Sequence, residues 1–206
     1  LYLQYGNIFD PNEVIDSSQR RNIVVPVNRC FDTHVDNHIV SAQTVHGATF
    51  SSLYASGKYT EEFLSMAIGK LLENTNYKSL SEEEKPEGNR KRYPVGTVVD
   101  LPGYENEHFF LWALSTFDNK LKAHTSMQEY ALAVQKLIES CNEESEGFPV
   151  VLPLVGTGLS RTKKDQQDVL KYLINAFRIN KAEINCDIHI VVRNDIKNEI
   201  AIMNIK

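Results

Sequence analysis

A layered α/β fold around a mainly parallel sheet is what this chain of 206 residues predicts. Three observations carry that reading. Two short, continuously apolar runs, Asn22 to Asn28 and Pro149 to Val155, look like strands covered on both faces. Amphipathic helical patterns alternate with further strand patterns around them. The composition, 42% hydrophobic and 24% charged, is that of an ordinary domain able to bury one core without disulfides or metal. Residues 1–206 therefore read as a single domain.

The elements follow in order. Leu1 to Phe9 alternates and closes on Tyr5-Gly6-Asn7, a strand running into a turn. The buried strand Asn22 to Asn28 comes next. A polar loop then leads to Thr60, which can cap a helix with Glu61 and Glu62 in its first turn. Phe63, Leu64, Ala67, Ile68, Leu71 and Leu72 form that helix's apolar stripe. Residues Lys78 to Arg92 hold almost nothing apolar and mix both charges. They read as a solvated connection, with a docking loop as the functional alternative. Val95 to Leu101 and His108 to Thr116 are two more strands. Ser126 and Glu129 make a capping box, and Met127, Tyr130, Ala131, Val134, Ile138 and Cys141 follow at helical spacing. After Pro149 to Val155, the residues Val169, Leu170, Leu173, Ile174 and Phe177 mark another amphipathic helix. Asp187 to Arg193 is strand-like, and Glu199 to Ile205 predicts an edge strand. No repeat or low-complexity segment interrupts this order.

Charge and cysteine usage narrow the function. Lys and Arg total 22 against 27 Asp and Glu, a net charge of −5, which argues against wrapping duplex nucleic acid. It leaves room for a local anion site, because backbone N–H groups bind phosphate without side-chain charge. No run of about 18 apolar residues is present to span a membrane. Cys30, Cys141 and Cys186 lie far apart without CxxC spacing, as expected in a reducing intracellular compartment and not at a zinc site. The chain opens strand-like at Leu1 with no signal-peptide pattern, so an upstream segment is expected.

In open α/β sheets ligands gather where strands end at their carboxyl termini. Four such exits carry unusual residues: Gly6-Asn7-Ile8, Asn28 to Gly47, Gly156 to Arg161, and Arg193-Asn194. The stretch Gly156-Thr157-Gly158-Leu159-Ser160 follows a buried strand, and its two glycines can aim successive N–H groups at an anion or simply make a tight turn. It fits neither GxxxxGK[ST] nor GxGxxG. Asn28 can bond a hydroxyl or brace its own loop. Phe31 can stack on a base or cover the core, and Asp32 and Thr33 can meet a ribose or cap a turn. Thr44-Val45-His46-Gly47-Ala48 reads as a second glycine-containing turn, in which His46 can donate to a phosphate or satisfy local backbone. Cys30 beside Asp32 and His34 reads as a small buried thiol and not as a nucleophile. No nucleophile elbow, HExxH or calcium loop is present.

The same residues carry a resemblance. Tyr5-Gly6-Asn7-Ile8 is similar to the "GDI" turn of macro domains, Val27-Asn28 to their "VN" strand end, and Gly96-Thr97-Val98-Val99 to their "GxAV" strand. Pro153-Leu154-Val155-Gly156-Thr157-Gly158-Leu159 is similar to their "PxxSTGxxG" phosphate loop. PVNRCFDTHVD, SAQTVHG, YPVGTVV, LSTFD and LPLVGTGLSR together resemble the divergent macro domain of membrane-anchored, ThsA-type Thoeris antiphage effectors. The resemblance implies a three-layer α/β sandwich that binds a derivative of ADP-ribose. Asn7 and Ile8 would read adenine, and two loops, Thr44 to Gly47 and Gly156 to Arg161, would hold the diphosphate. Asn28 to Thr33 would read the distal ribose and its substituent, with Asn194 at the rim.

Departures from the family pattern point the same way. Asn7 stands where macro domains carry an Asp, Phe31 and Asp32 replace the second asparagine of "NAAN", and the triple glycine is reduced to His46-Gly47. Ser160 stands where many members place an aromatic. These changes suit a non-enzymatic sensor of a modified ADP-ribose, histidine-ADP-ribose being the family's signal, with no cofactor and no metal. The implied partner is a TIR-domain enzyme that makes the signal from NAD. The implied setting is cytoplasmic and bacterial, anchored to membrane only through upstream sequence, with ligand-dependent homo-oligomerisation of the full-length protein. The alternatives are an ADP-ribosyl hydrolase in which Asp32 or Asp36 activates water, and an interaction module whose pocket has degenerated.

Overall fold

The computed structural model describes residues 1–14, 20–155, 166–200 and 202. Its sheet is built outward from β2 (Arg21–Asn28), whose residues are nearly all buried. Strand β6 (Glu107–Phe117) runs parallel to β2 on one side and β8 (Val150–Pro153) on the other. Beyond β8 lie β9 (Ile188–Arg193) and then β1 (Tyr2–Gly6), both parallel. On the other flank β5 (Val98–Pro102) and the short β7 (Ala123–His124) pair with β6 antiparallel, giving the order β1-β9-β8-β2-β6-β5. The sheet is therefore mixed and mainly parallel.

Alternation along the central strands sorts side chains to two cores. Val24, Phe110, Trp112 and Leu114 face one side, where α4 (Met127–Glu144) and α5 (Gln166–Ile179) supply Tyr130, Val134, Leu173 and Phe177. Ile23, Val25, Phe109 and Leu111 face the other, against α2 (Val45–Ala55) and α3 (Glu61–Leu71) with Phe50, Leu53, Leu64 and Ile68. This is a three-layer sandwich. The capping box at Ser126 and Glu129 forms, as does the Thr60 cap. Trp112 meets the polar demand of its buried indole by donating to Ala133 O at 3.0 Å.

Three expectations need correction. The polar loop before Thr60 contains helix α2, capped by Thr44, whose hydroxyl accepts from Gly47 N at 3.0 Å. Residues Lys78 to Arg92 are not a solvated connection throughout. Two short strands, β3 (Lys78–Ser79) and β4 (Lys91–Arg92), form an antiparallel ribbon whose loop buries Lys85. The edge strand over Glu199 to Ile205 does not form among the described residues there. After β9 the chain makes a 3₁₀ turn, Asn194–Ile196, and Ile200 plugs the core on the α4–α5 side, its carbonyl held by the Tyr5 hydroxyl. Burying Ile200 this way competes with extending the chain along a sheet edge.

Candidate functional site at the carboxyl ends of the strands

Five parallel strands release their chains on the same side of the sheet, and a cleft of about 980 Å³ opens there. It follows the strand order. Gly6, Asn7, Ile8 and Phe9 line it beyond β1, Arg193 to Ile196 beyond β9, and Pro153, Leu154 and Val155 at the end of β8. Asn28 lines it at the end of β2, and Leu114, Ser115 and Phe117 on β6. Segments 37–41 and 43–46 and the turn between β6 and β7, with Leu121 and Lys122, also line it.

Asn28 is the best-defined donor. The register of β2 against β6 slips between Val27 and Asn28, which pair with Ala113 and Ser115, and such a bulge re-aims the side chain at a strand end. The Asn28 Oδ1 accepts from Cys30 N at 3.0 Å and from Asp32 N at 3.4 Å, which fixes which end of the amide is oxygen. Its Nδ2 is left buried with no partner among the described residues. A buried donor with no acceptor costs about 1–3 kcal/mol, and an orphan of this kind in a cleft wall is a reason to look for a ligand oxygen.

His46 provides a second orphan. Its ring is buried edge-on against Phe50, with centroids 4.6 Å apart, and its Nε2 has no partner among the described residues. Burial pushes its pKa down to about 3, against a smaller upward pull from the Asp32 backbone, so the ring is neutral near pH 7. His46 and Val45 open helix α2, and the first N–H groups of a helix have no intrahelical acceptor. Thr44 takes the Gly47 N–H and, through its carbonyl, the Ala48 N–H. The Val45 and His46 N–H groups at the cleft wall are thus placed where an anion is favoured.

Gly47 itself does not line the cleft. A Cβ there would stand 2.2 Å from Ser41 O, so glycine is required by the close passage of the 41–42 backbone. Its role is to let that segment wrap the helix start.

The structure divides the residues read from the sequence. Asn7, Ile8, Asn28, Thr44, Val45, His46 and Asn194 share the cleft wall, whereas Phe31, Asp32, Thr33 and Gly47 stand behind it. Phe31 is buried edge-on against Tyr93, covering the core and not open for stacking. Asp32 is also buried, and its carboxylate accepts from Lys85 Nζ at 3.0 and 2.7 Å and from Asn89 N. Burial pushes its carboxyl up from the usual range, opposed by the Lys85 ammonium and by the Asn89 N–H. Asp32 is accordingly taken up internally, and its expected contact with the distal ribose or its substituent is replaced by the ion pair to Lys85. Thr33 O accepts from the Tyr54 hydroxyl at 2.6 Å. Cys30 is a buried thiol whose pKa is pushed up to about 11 by burial, which leaves it protonated and poorly nucleophilic. Gly156, Thr157, Gly158, Leu159, Ser160 and Arg161 lie outside the described residues.

At the Asn7 end, Oδ1 accepts from Phe9 N at 3.1 Å and the backbone N–H donates to Glu13 at 2.7 Å. The Asn7 turn is thereby shaped from within. Sequence reading missed the opposite end, where His38, Phe117, Leu121 and Lys122 line the cleft. The available signal was Asp118-Asn119, a turn pair leaving a strand on the ligand side of the sheet, where Asp118 Oδ1 accepts from Lys120 N and Lys122 N.

Comparison with known proteins fits this architecture. Residues 1–193 match the family described as Thoeris protein ThsA, Macro domain. Thoeris protein ThsA of Bacillus amyloliquefaciens (strain Y2) is 26% identical over 166 residues, covering 78% of this chain and 52% of that protein. The chain thus spans about half the length of this curated relative. The macrodomain of Mycobacterium tuberculosis DarG superposes with a TM-score of 0.51 at 16% identity, covering 91% of this chain and 96% of that one, a likeness of fold. The sequence match over residues 1–193 and the three-layer mixed sheet place this chain in the ThsA macro-domain family of Thoeris proteins.

Proposed function

We propose that the cleft binds an ADP-ribose-derived nucleotide as a signal, without turning it over. The observation that carries the reading is the pair of buried polar atoms without a partner among the described residues, Asn28 Nδ2 and His46 Nε2, in one wall beside the start of helix α2. An ADP-ribose laid along the strand order would put adenine by Asn7 and Ile8. Its diphosphate would lie over the Val45 and His46 N–H groups, and its distal ribose against Asn28. The Gly156 to Arg161 loop is the proposed second arm of the diphosphate site.

Room remains beyond the ribose. A cleft of about 980 Å³ is at the upper end of the range of roughly 300–1,000 Å³ that small-molecule sites occupy. Its far end offers the Lys122 ammonium, which suits a substituent bearing a carboxylate, such as the histidine of histidine-ADP-ribose, while His38 beside it is paired with Glu87 at 3.0 Å. In this reading a partner TIR-domain enzyme makes the signal from NAD, and this domain of a larger, membrane-anchored effector senses it in antiphage defence.

The hydrolase alternative requires Asp32 or Asp36 to activate water. Asp32 is engaged by Lys85 and Asn89, and Asp36 Oδ1 accepts from His38 N at 2.8 Å and Ile39 N at 2.9 Å. These bonds favour binding without turnover. Calorimetry with ADP-ribose, histidine-ADP-ribose and AMP tests the reading. Saturable binding of the first two and much weaker binding of AMP is expected, with intact ADP-ribose recovered afterwards. No binding by either ADP-ribose compound, or release of ADP-ribose from a modified protein, would refute it.

A further inference from the structure

The 85–90 loop of the β3–β4 ribbon reaches back to the turn that holds Asn28. Lys85, 1% exposed, directs its ammonium to both Asp32 oxygens and to Asn89 O at 2.7 Å, so all its donors are used. Asn89 clamps the same turn from its other side. Its Nδ2 donates to Cys30 O at 3.2 Å and Phe31 O at 3.0 Å, and its backbone N–H donates to Asp32. Gly88, with φ of +76°, is required by this approach, since a Cβ would stand 2.3 Å from Asp32 Oδ1.

What the clamp holds is a strained turn. Phe31 has φ of +51°, a left-handed conformation that non-glycine residues rarely keep without surrounding constraint. The N–H groups on either side of Phe31, those of Cys30 and Asp32, are the ones that hold Asn28 Oδ1. The direction of the orphan Asn28 donor is therefore set by a turn whose carbonyls and carboxylate are gripped by Lys85 and Asn89. The Lys85 ammonium also lies 5.7 Å from the centre of the Phe117 ring, a member of the cleft wall.

We propose that Lys85 and Asn89 are positioning residues that act through Asn28 to set the affinity of the cleft. The assignment rests on the proposed nucleotide site for its ligand arm, but the order of the Asn28 amide can be read in the free protein. Two measurements on the 206-residue chain test it. In nitrogen-edited NMR of the free protein, the wild-type Asn28 side-chain amide should give one sharp pair of signals. Asn89→Ala should broaden that pair while the backbone spectrum stays folded, and Lys85→Met should do so more strongly. Since Lys85→Met strands a buried Asp32 carboxylate and can fail to fold, Asn89→Ala and the paired Asp32→Asn/Lys85→Met variant carry the same test.

The second measurement is a double-mutant cycle with ADP-ribose as probe. Asn89→Ala should weaken binding roughly fivefold or more in the wild type and hardly at all in the Asn28→Ala background. A purely structural role would lower the melting temperature yet leave the Asn28 signals sharp and the loss equal in both backgrounds, and either result overturns the proposal. Absence of ADP-ribose binding by wild type would sink the ligand reading, while the amide signals would still decide the clamp.

Discussion

Two asparagines on one strand show how differently the same side chain is used at the two ends of the sheet. Asn22 and Asn28 both belong to β2 and are both buried, at 0% and 4% exposure. Asn22, at the amino end, donates from Nδ2 to Ser145 O at 3.1 Å and to Phe148 O at 3.4 Å, tying the strand to the end of α4. Asn28, at the carboxyl end, turns its oxygen inward to brace a loop and leaves Nδ2 without a partner among the described residues of the cleft wall. An Asn that bonds fully within the protein stabilises it, whereas one that keeps a buried donor in reserve makes the protein less stable alone and readier for an acceptor.

His46 offers the largest way to break that contrast, because its Nε2 at the carboxyl end also has no partner among the described residues. Its folded pKa of about 3 lies below the ordinary value of 6.5. Between those values the unfolded chain takes up the proton and the native ring does not. Its stabilising contribution is therefore complete above about pH 6.5 and is lost as pH falls toward 3, by several kcal/mol and at most about 5. Denaturant melts of wild type and His46→Gln from pH 7.5 to 4 should show a shallower acid loss in the variant. Parallel curves would mean the ring is not buried neutral.

Next in size, Asn22→Ala removes donors from two carbonyls and should cost about 2–3 kcal/mol by chemical denaturation. It should move ADP-ribose affinity less than twofold, since it lies at the far end of the strand. An Asn22→Ala protein with normal stability would erase the structural half of the comparison. Asn28→Ala should do the converse, reducing ADP-ribose affinity about 10- to 100-fold for the loss of one buried bond to a charged or polar ligand oxygen. Its stability loss should be only about 1 kcal/mol, since the two N–H groups it caps can be rehydrated from the cleft. Smallest of all, Thr44→Ala should cost about 1 kcal/mol through the lost cap of α2, with a modest drop in affinity as the helix start loosens. Unchanged thermal stability in that variant would deny Thr44 its capping role.

The cores were legible in the sequence because burial writes a period. The run Asn22 to Asn28 and the stripe Val169 to Phe177 announce a doubly covered strand and an amphipathic helix, and both formed. Helix α2 was not legible in that way: apolar residues stand all around VHGATFSSLYA, so no face stands out. Its start read as a glycine-containing turn, Thr44 to Ala48, and its limits emerge only in the structure, with Thr44 as the cap and Gly57 at φ of +72° beyond its last turn. Lys85 was hidden for the opposite reason. In a stretch that mixes both charges nothing local marks the one lysine that a distant Asp32 will bury, because the pairing depends on tertiary approach. The site was half legible. Strand ends and turn residues pointed to Asn7, Asn28 and His46, but whether a polar atom there is engaged or free is fixed by neighbours remote in sequence. Asp32 read as open to a ligand for the same reason.

The central claim is that the Asn28 donor is held in reserve for a nucleotide. A crystal structure of the domain soaked with ADP-ribose tests it most directly. The account predicts the ligand in the cleft with an oxygen about 3 Å from Asn28 Nδ2 and its diphosphate against the Val45 and His46 N–H groups. Nucleotide bound elsewhere, or bound in the cleft with Asn28 Nδ2 still unpartnered, would contradict it.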